Sequence, residues 1–162
     1  MGDVLLVTGS RALTDTPAAE AWARGVLRER ITSAVERVVA GDARGPDEWA
    51  HDTSANGFAC ARWCLNGEVR YRFSRLWWTE ALWLPRGTPK PRTHEAWAQR
   101  ATARNAAMVE HTARTPGAHC LALVAPWSRT QGTQMTARLA REHGIAVEVL
   151  VCPAEHGPGG VR

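Results

Sequence analysis

No apolar run in the 162-residue sequence approaches the roughly 20 residues that a membrane-crossing helix needs. Met1-Gly2-Asp3-Val4 also lacks the basic start and long apolar stretch of a signal peptide, so a cytoplasmic location is the expectation. Cysteine is sparse. Cys60, Cys64, Cys120 and Cys152 form no CxxC pair, so the usual zinc spacing is missing and they read as buried thiols. His94-Glu95 lacks the second histidine of HExxH, and no Pro-Cys-x-x-Cys occurs, which removes zinc proteases and zinc deaminases. Neither GxGxxG nor GxxxxGK[ST] is present, which argues against an ordinary NAD dehydrogenase or NTPase. No metal and no cofactor is expected. His51 and His111 read as surface or capping residues. Lysine is almost missing as well: Lys90 is the only one among 20 basic residues.

What is present describes a globular chain. With 44% hydrophobic and 22% charged residues, 162 positions suffice for one domain with a real core. A net charge of +4 favours anionic partners. Arginine, which supplies nearly all the positive charge, makes planar, bidentate contacts with phosphate.

Short apolar runs alternate with helical patterns. Strands are predicted at 4–8, 37–40, 69–73, 120–124 and 146–151, and helices at 17–34, 46–64 (interrupted near Gly57), 94–111 and 133–143. This order predicts an α/β fold, a doubly wound parallel sheet of about five strands in a single domain over 1–152. Residues 153–162 read as a flexible Gly/Pro-rich tail. The segment 76–92, rich in Trp, Pro and Arg, reads as an insertion: either a lid whose Trp77 and Trp78 stack on a base, or an oligomer interface, with the interface slightly favoured and a homo-oligomer expected.

In such sheets ligands sit beyond the carboxyl ends of the strands. Three loops there lead toward helices and combine glycine with arginine. They are Thr8-Gly9-Ser10-Arg11, Gly41-Asp42-Ala43-Arg44-Gly45-Pro46-Asp47, and Ser128-Arg129-Thr130-Gln131-Gly132-Thr133. Free N–H groups and the helix dipole favour an anion at such junctions. The candidate nucleotide-binding residues are therefore Gly9, Ser10, Arg11, Gly41, Arg44, Gly45, Ser128, Arg129, Gly132 and Thr133. Gly9 is expected to let the backbone approach the ligand. Asp47, at a helix start beside the second loop, is the leading candidate for a catalytic carboxylate, with Glu48, Glu80 and Glu95 in reserve.

Val7-Thr8-Gly9-Ser10-Arg11, the 41–47 stretch, Arg104-Asn105 followed by Met108, and Ser128-Arg129 with Gly132-Thr133 occur in a family order. In this the chain resembles the YspA-like branch of the SLOG superfamily, related to lonely-guy phosphoribohydrolases and to DprA. The resemblance runs from about Val4 to Val151. It implies a Rossmann-like domain for nucleotides or nucleotide-derived ligands, often found in bacterial or phage conflict systems. Lonely-guy enzymes cut the N-glycosidic bond of nucleoside monophosphates with an RxxxM-like arginine, matched by Arg104 with Met108, and with a GTxxE glutamate. The resemblance thus adds Arg104 as a catalytic residue, to neutralise phosphate or clamp ribose, and Asn105 as a binding residue. At the glutamate position this chain has Thr136. Three readings follow: a nucleotide N-glycosidase, a non-catalytic nucleotide sensor or sequestering protein, and a DprA-like single-stranded DNA binder.

Overall fold

The computed structural model describes residues 3–54, 59–74, 76–129 and 131–160, with the backbone alone at Glu80. The elements run β1 (Asp3–Gly9), α1 (Pro17–Arg30), β2 (Val35–Gly41), α2 (Pro46–Thr53), β3 (Ala59–Trp63), β4 (Glu68–Phe73), β5 (Leu76–Leu82), α3 (His94–Ala113), β6 (His119–Val124), α4 (Gln131–Glu142) and β7 (Ala146–Val151). They form an α/β structure around one mostly parallel sheet, in the order β5-β4-β3-β2-β1-β6-β7.

The centre of the sheet follows from its apolar runs. Val4, Leu5, Leu6 and Val7 are all buried in β1, which is why this strand shows a continuous apolar run rather than an alternating one. Leu5 and Val7 pack toward Ala19, Ala23 and Leu27 of α1 and Trp49 and Ala50 of α2. Val4 and Leu6 belong to the opposite core, with Met108 and Val109 of α3 and Ala140 of α4. Helices therefore cover both faces. Thr16 caps α1, its hydroxyl accepting from the Ala19 N–H at 3.1 Å, and Pro17 occupies the first turn, where no donor is lost.

The region 46–82 departs from the expectation. The predicted helix over 46–64 ends at Thr53, and Ala59–Trp63 forms a parallel strand beside β2. Its residues alternate between the two cores, Cys60 toward one and Ala61 and Trp63 toward the other. The expected third parallel strand is β4, which runs antiparallel to β3 after a tight turn at Gly67, whose φ is +100°. The Trp-rich segment 76–92 is not an insertion throughout. Its first half is the edge strand β5, paired antiparallel with β4, so the sheet has seven strands among the described residues where about five were expected. Trp83 fixes the exit from β5, its indole N–H donating to Cys64 O at 2.6 Å.

The expected loose tail 153–162 makes specific contacts through residue 160, starting from Cys152 just before it. Cys152 N–H bonds to Val124 O at 2.8 Å, Thr16 Oγ1 donates to His156 O, and Gly157 lies directly against the Trp127 ring. No helix among the described residues is long and apolar enough to cross a membrane.

Candidate functional site

Strand order reverses at β1: β2 and β3 follow on one side, β6 and β7 on the other. The loops leaving β1 and β6 must diverge there, which opens a crevice at the carboxyl ends of the strands. A cleft of about 770 Å³ occupies that place. Its walls are the loop after β1, the start of α2, the amino-terminal half of α3, and the loop from β6 into α4. A smaller hollow of about 360 Å³ lies at the opposite, amino end of the sheet, and none of the three glycine- and arginine-bearing loops reaches it.

The cleft brings together Gly9, Ser10, Arg11, Asp47, Arg104, Asn105, Ser128, Arg129, Gly132 and Thr133. Ser10 is buried and its N–H donates to Leu123 O at 2.9 Å, which locks the end of β1 to β6. Arg11 and Arg129 are exposed, free to meet an incoming anion. Gln131, Gly132 and Thr133 present the first turn of α4. Unpaired N–H groups and the positive end of the helix dipole make that turn suitable for a phosphate oxygen.

Arg104 is held by the protein itself. It is 4% exposed. One terminal nitrogen donates to Asp42 Oδ1 at 2.7 Å and to Trp63 O at 3.2 Å, while Nε donates to Asn105 Oδ1 at 2.8 Å. The other Asp42 oxygen accepts the Leu65 N–H at 3.0 Å. Asp42 thus ties the loop after β2 to α3 and to the end of β3. Asp42 was not among the expected site residues, although it stands within the 41–47 stretch.

Asp47 is the only acidic residue among the described residues that line the cleft, against Arg11, Arg104 and Arg129. It is buried, and that burial pushes its carboxyl up to about 6; Arg104, the Ala43 N–H and Arg11 pull it down, while Asp42 adds to the rise. Gly41 sits between Asp47 and Arg104. A Cβ there would come within 2.5 Å of both Asp47 Oδ2 and an Arg104 terminal nitrogen. The missing side chain lets the carboxylate and the guanidinium face each other.

Several expected site residues lie elsewhere. Arg44 is exposed and outside the cleft wall. Gly45 is buried at the start of α2 with φ +91°, a left-handed conformation that explains its glycine by backbone geometry. Gly9 does line the cleft, but what its Cβ would strike is Pro46, at 2.4 and 2.5 Å, so its smallness makes room for α2. Glu48 and Glu95 are outside the wall, and the Glu80 side chain lies outside the described residues. Thr136 is fully buried, its hydroxyl donating to Gly132 O at 2.8 Å, and so does not replace a glutamate in the cleft.

Trp77 and Trp78 are also remote from the cleft, on β5 at the sheet edge. The tryptophan that does line it is Trp97. Its helical spacing from His94, Ala101, Asn105 and Met108 along α3 is the signal that could have found it, since these positions share one face. His51, read as a surface or capping residue, is buried. Burial and the nearby Arg62 lower its pKa to about 3, and its Nε2 lies 3.1 Å from Gly41 O. Burial also pushes the Cys64 thiol up to about 11 and the Cys120 thiol to about 12, so neither forms a thiolate at neutral pH. No family model, no curated protein and no solved structure matches the chain.

Proposed function

We propose that this chain is a Rossmann-like domain that binds a phosphorylated nucleotide in the 770 Å³ cleft and hydrolyses its N-glycosidic bond, releasing free base and ribose phosphate. The observation that carries the reading is the pairing of one buried carboxylate, Asp47, with three cleft arginines at a strand-order reversal. Arg129, Arg11 and the first turn of α4 would receive the phosphate. Trp97 offers a face for the base. Glycosidic cleavage develops positive charge on the ribose, and ionised Asp47 would stabilise that charge and orient the water. Arg104, fixed by Asp42, would act chiefly by holding the Asp47 side of the cleft electropositive. Kinship with the YspA-like branch of the SLOG superfamily belongs to the same reading, and four free, buried cysteines suit a cytoplasmic protein.

A second reading has its own support. With Thr136 buried and bonded within its helix, Asp47 would have to act without a partner carboxylate, as in a protein that binds a nucleotide signal without cutting it. A homo-oligomer is supported by Leu76, Trp78 and Leu82, exposed along the edge strand β5.

Two arginine variants test the binding step. Arg129→Ala should weaken a nucleoside monophosphate about tenfold or more, as expected for one charge-assisted contact, and leave the nucleoside unaffected. Arg44→Ala, equal in charge but outside the cleft, should change neither. Calorimetric titration of both variants reads the outcome, and equal losses from the two would remove the α4 loop from the site.

A further inference from the structure

A second concentration of arginine lies outside the cleft, on the antiparallel ribbon of β3, β4 and β5. Arg62 stands directly opposite Arg70, and Arg72 opposite both Cys60 and Trp77. Strand alternation puts these side chains on one face, the face of the core formed with α1 and α2. Their guanidinium carbons lie 5.1, 5.8 and 5.0 Å from the Trp77 ring centroid. Three like charges thus converge on one indole.

None of the three forms an ion pair among the described residues. Among the described side chains, Glu68, two positions from Arg70 on the same strand face, forms no ion pair, Asp42 is engaged by Arg104 and Asp52 by Arg24; Glu80, on β5 at the bulge next to Arg70, is described by its backbone alone. Arg72 is 8% exposed. One terminal nitrogen donates to His51 O at 2.5 Å and to Ser54 Oγ at 2.9 Å, both neutral acceptors, which aim the guanidinium without balancing its charge. The Nε atoms of Arg62 and Arg72 are buried with no acceptor among the described residues. Burying an unpaired cation and leaving donors unsatisfied are both costly, and an anion seated among the three side chains relieves both. The neighbouring His51 is neutral at physiological pH and adds no positive charge to the three guanidinium groups.

We propose that this ribbon face is a second anion site, seating a compact multivalent phosphoryl group between Arg62, Arg70 and Arg72 beside Trp77. Three cations gathered around one indole favour a single phosphate-sized group over an extended charged chain, because a chain would need its cations spaced along a track. The site is separate from the nucleotide cleft and does not depend on how that cleft is read. The phosphoryl group is either free, as phosphate or pyrophosphate, or the terminal phosphate of a polynucleotide.

Calorimetric titration with inorganic pyrophosphate tests the site in the whole chain. The double variant Arg62→Gln/Arg70→Gln should lose about tenfold or more in affinity, while Arg129→Ala in the cleft keeps this binding event. A 5′-phosphorylated oligothymidylate that competes with pyrophosphate, where the unphosphorylated strand does not, assigns the polynucleotide end as a source; no competition by either assigns the free anion. Pyrophosphate binding unchanged in the double variant, or abolished in Arg129→Ala, overturns the proposal. If the double variant fails to fold, the arginine Nε–H signals of the wild type decide by nuclear magnetic resonance. Pyrophosphate should shift those of Arg62 and Arg72, and unmoved signals overturn the site.

Discussion

Gly41→Ala is expected to destroy nucleotide binding and to destabilise the fold by about 3 kcal/mol, the upper part of the range for forcing one extra carbon into a packed site. The new Cβ would lie 2.5 Å from both Asp47 Oδ2 and an Arg104 terminal nitrogen. Neither side can retreat easily. Arg104 is pinned by Asp42, Trp63 O and Asn105, and Asp47 belongs to the first turn of α2, behind Pro46. The strain would therefore spread into both helices that carry the site. Urea unfolding and titration with a nucleoside monophosphate measure the two effects, and a stable variant with wild-type affinity would mean that the Asp47–Arg104 geometry is not the one described.

Asp47→Asn separates chemistry from stability, and the two should move in opposite directions. The native carboxyl titrates near 6, while its ordinary value is 3.8. Between those pH values the folded protein holds a proton that the unfolded chain has lost, so stability declines as pH rises from about 4 to about 6 and stays low above. Asparagine carries no charge to bury. It should stabilise the protein at pH 7 by up to about 3 kcal/mol, two pH units' worth, and the gain should vanish below about pH 4. Turnover should nevertheless fall roughly 100-fold or more, the usual scale for an acid–base group. The wild-type kcat/KM should rise with pH through about 6, as the active, ionised form appears. Free base released from a nucleoside monophosphate, followed chromatographically across pH, reads the chemistry. Release that survives in Asp47→Asn would eliminate the carboxylate; a stabilised variant beside a wild type that releases no base would favour the sensor.

The parts of the fold governed by local pattern were legible in the sequence. Buried parallel strands announce themselves as apolar runs, so β1 and β6 fell where expected; β7 did too, although it is an edge strand with no buried residue, and α1, α3 and α4 lie where helices were expected, while α2 began at Pro46 but ended well short of residue 64. The ribbon was misread because Cys60 and Cys64, four apart, mimic a helical face, and because Trp and Pro obscured the period-two pattern of β5. Asn66-Gly67 carried a hairpin signal, with Asn66 Oδ1 accepting the Glu68 N–H at 3.0 Å, which would have turned β4 back on β3. The site was legible as loops and less so as side chains. Sequence order brings Ser10, Asp47, Arg104 and Arg129 to one strand edge, but it does not say that Arg44 points away or that Gly9 yields to Pro46. Those outcomes depend on how α2 packs across β1, a contact between segments distant in the chain.

Phosphate recognition in the cleft is measured most directly by the affinity of the wild-type chain for matched pairs of nucleoside and nucleoside 5′-monophosphate. Titration across the common bases should find at least one monophosphate bound about 100-fold more tightly than its nucleoside, the yield of two charge-assisted contacts from Arg129 and Arg11. Raising the salt concentration should narrow that gap by screening the exposed arginines. Equal affinity for the two members of every pair, or no binding of either, would contradict the account.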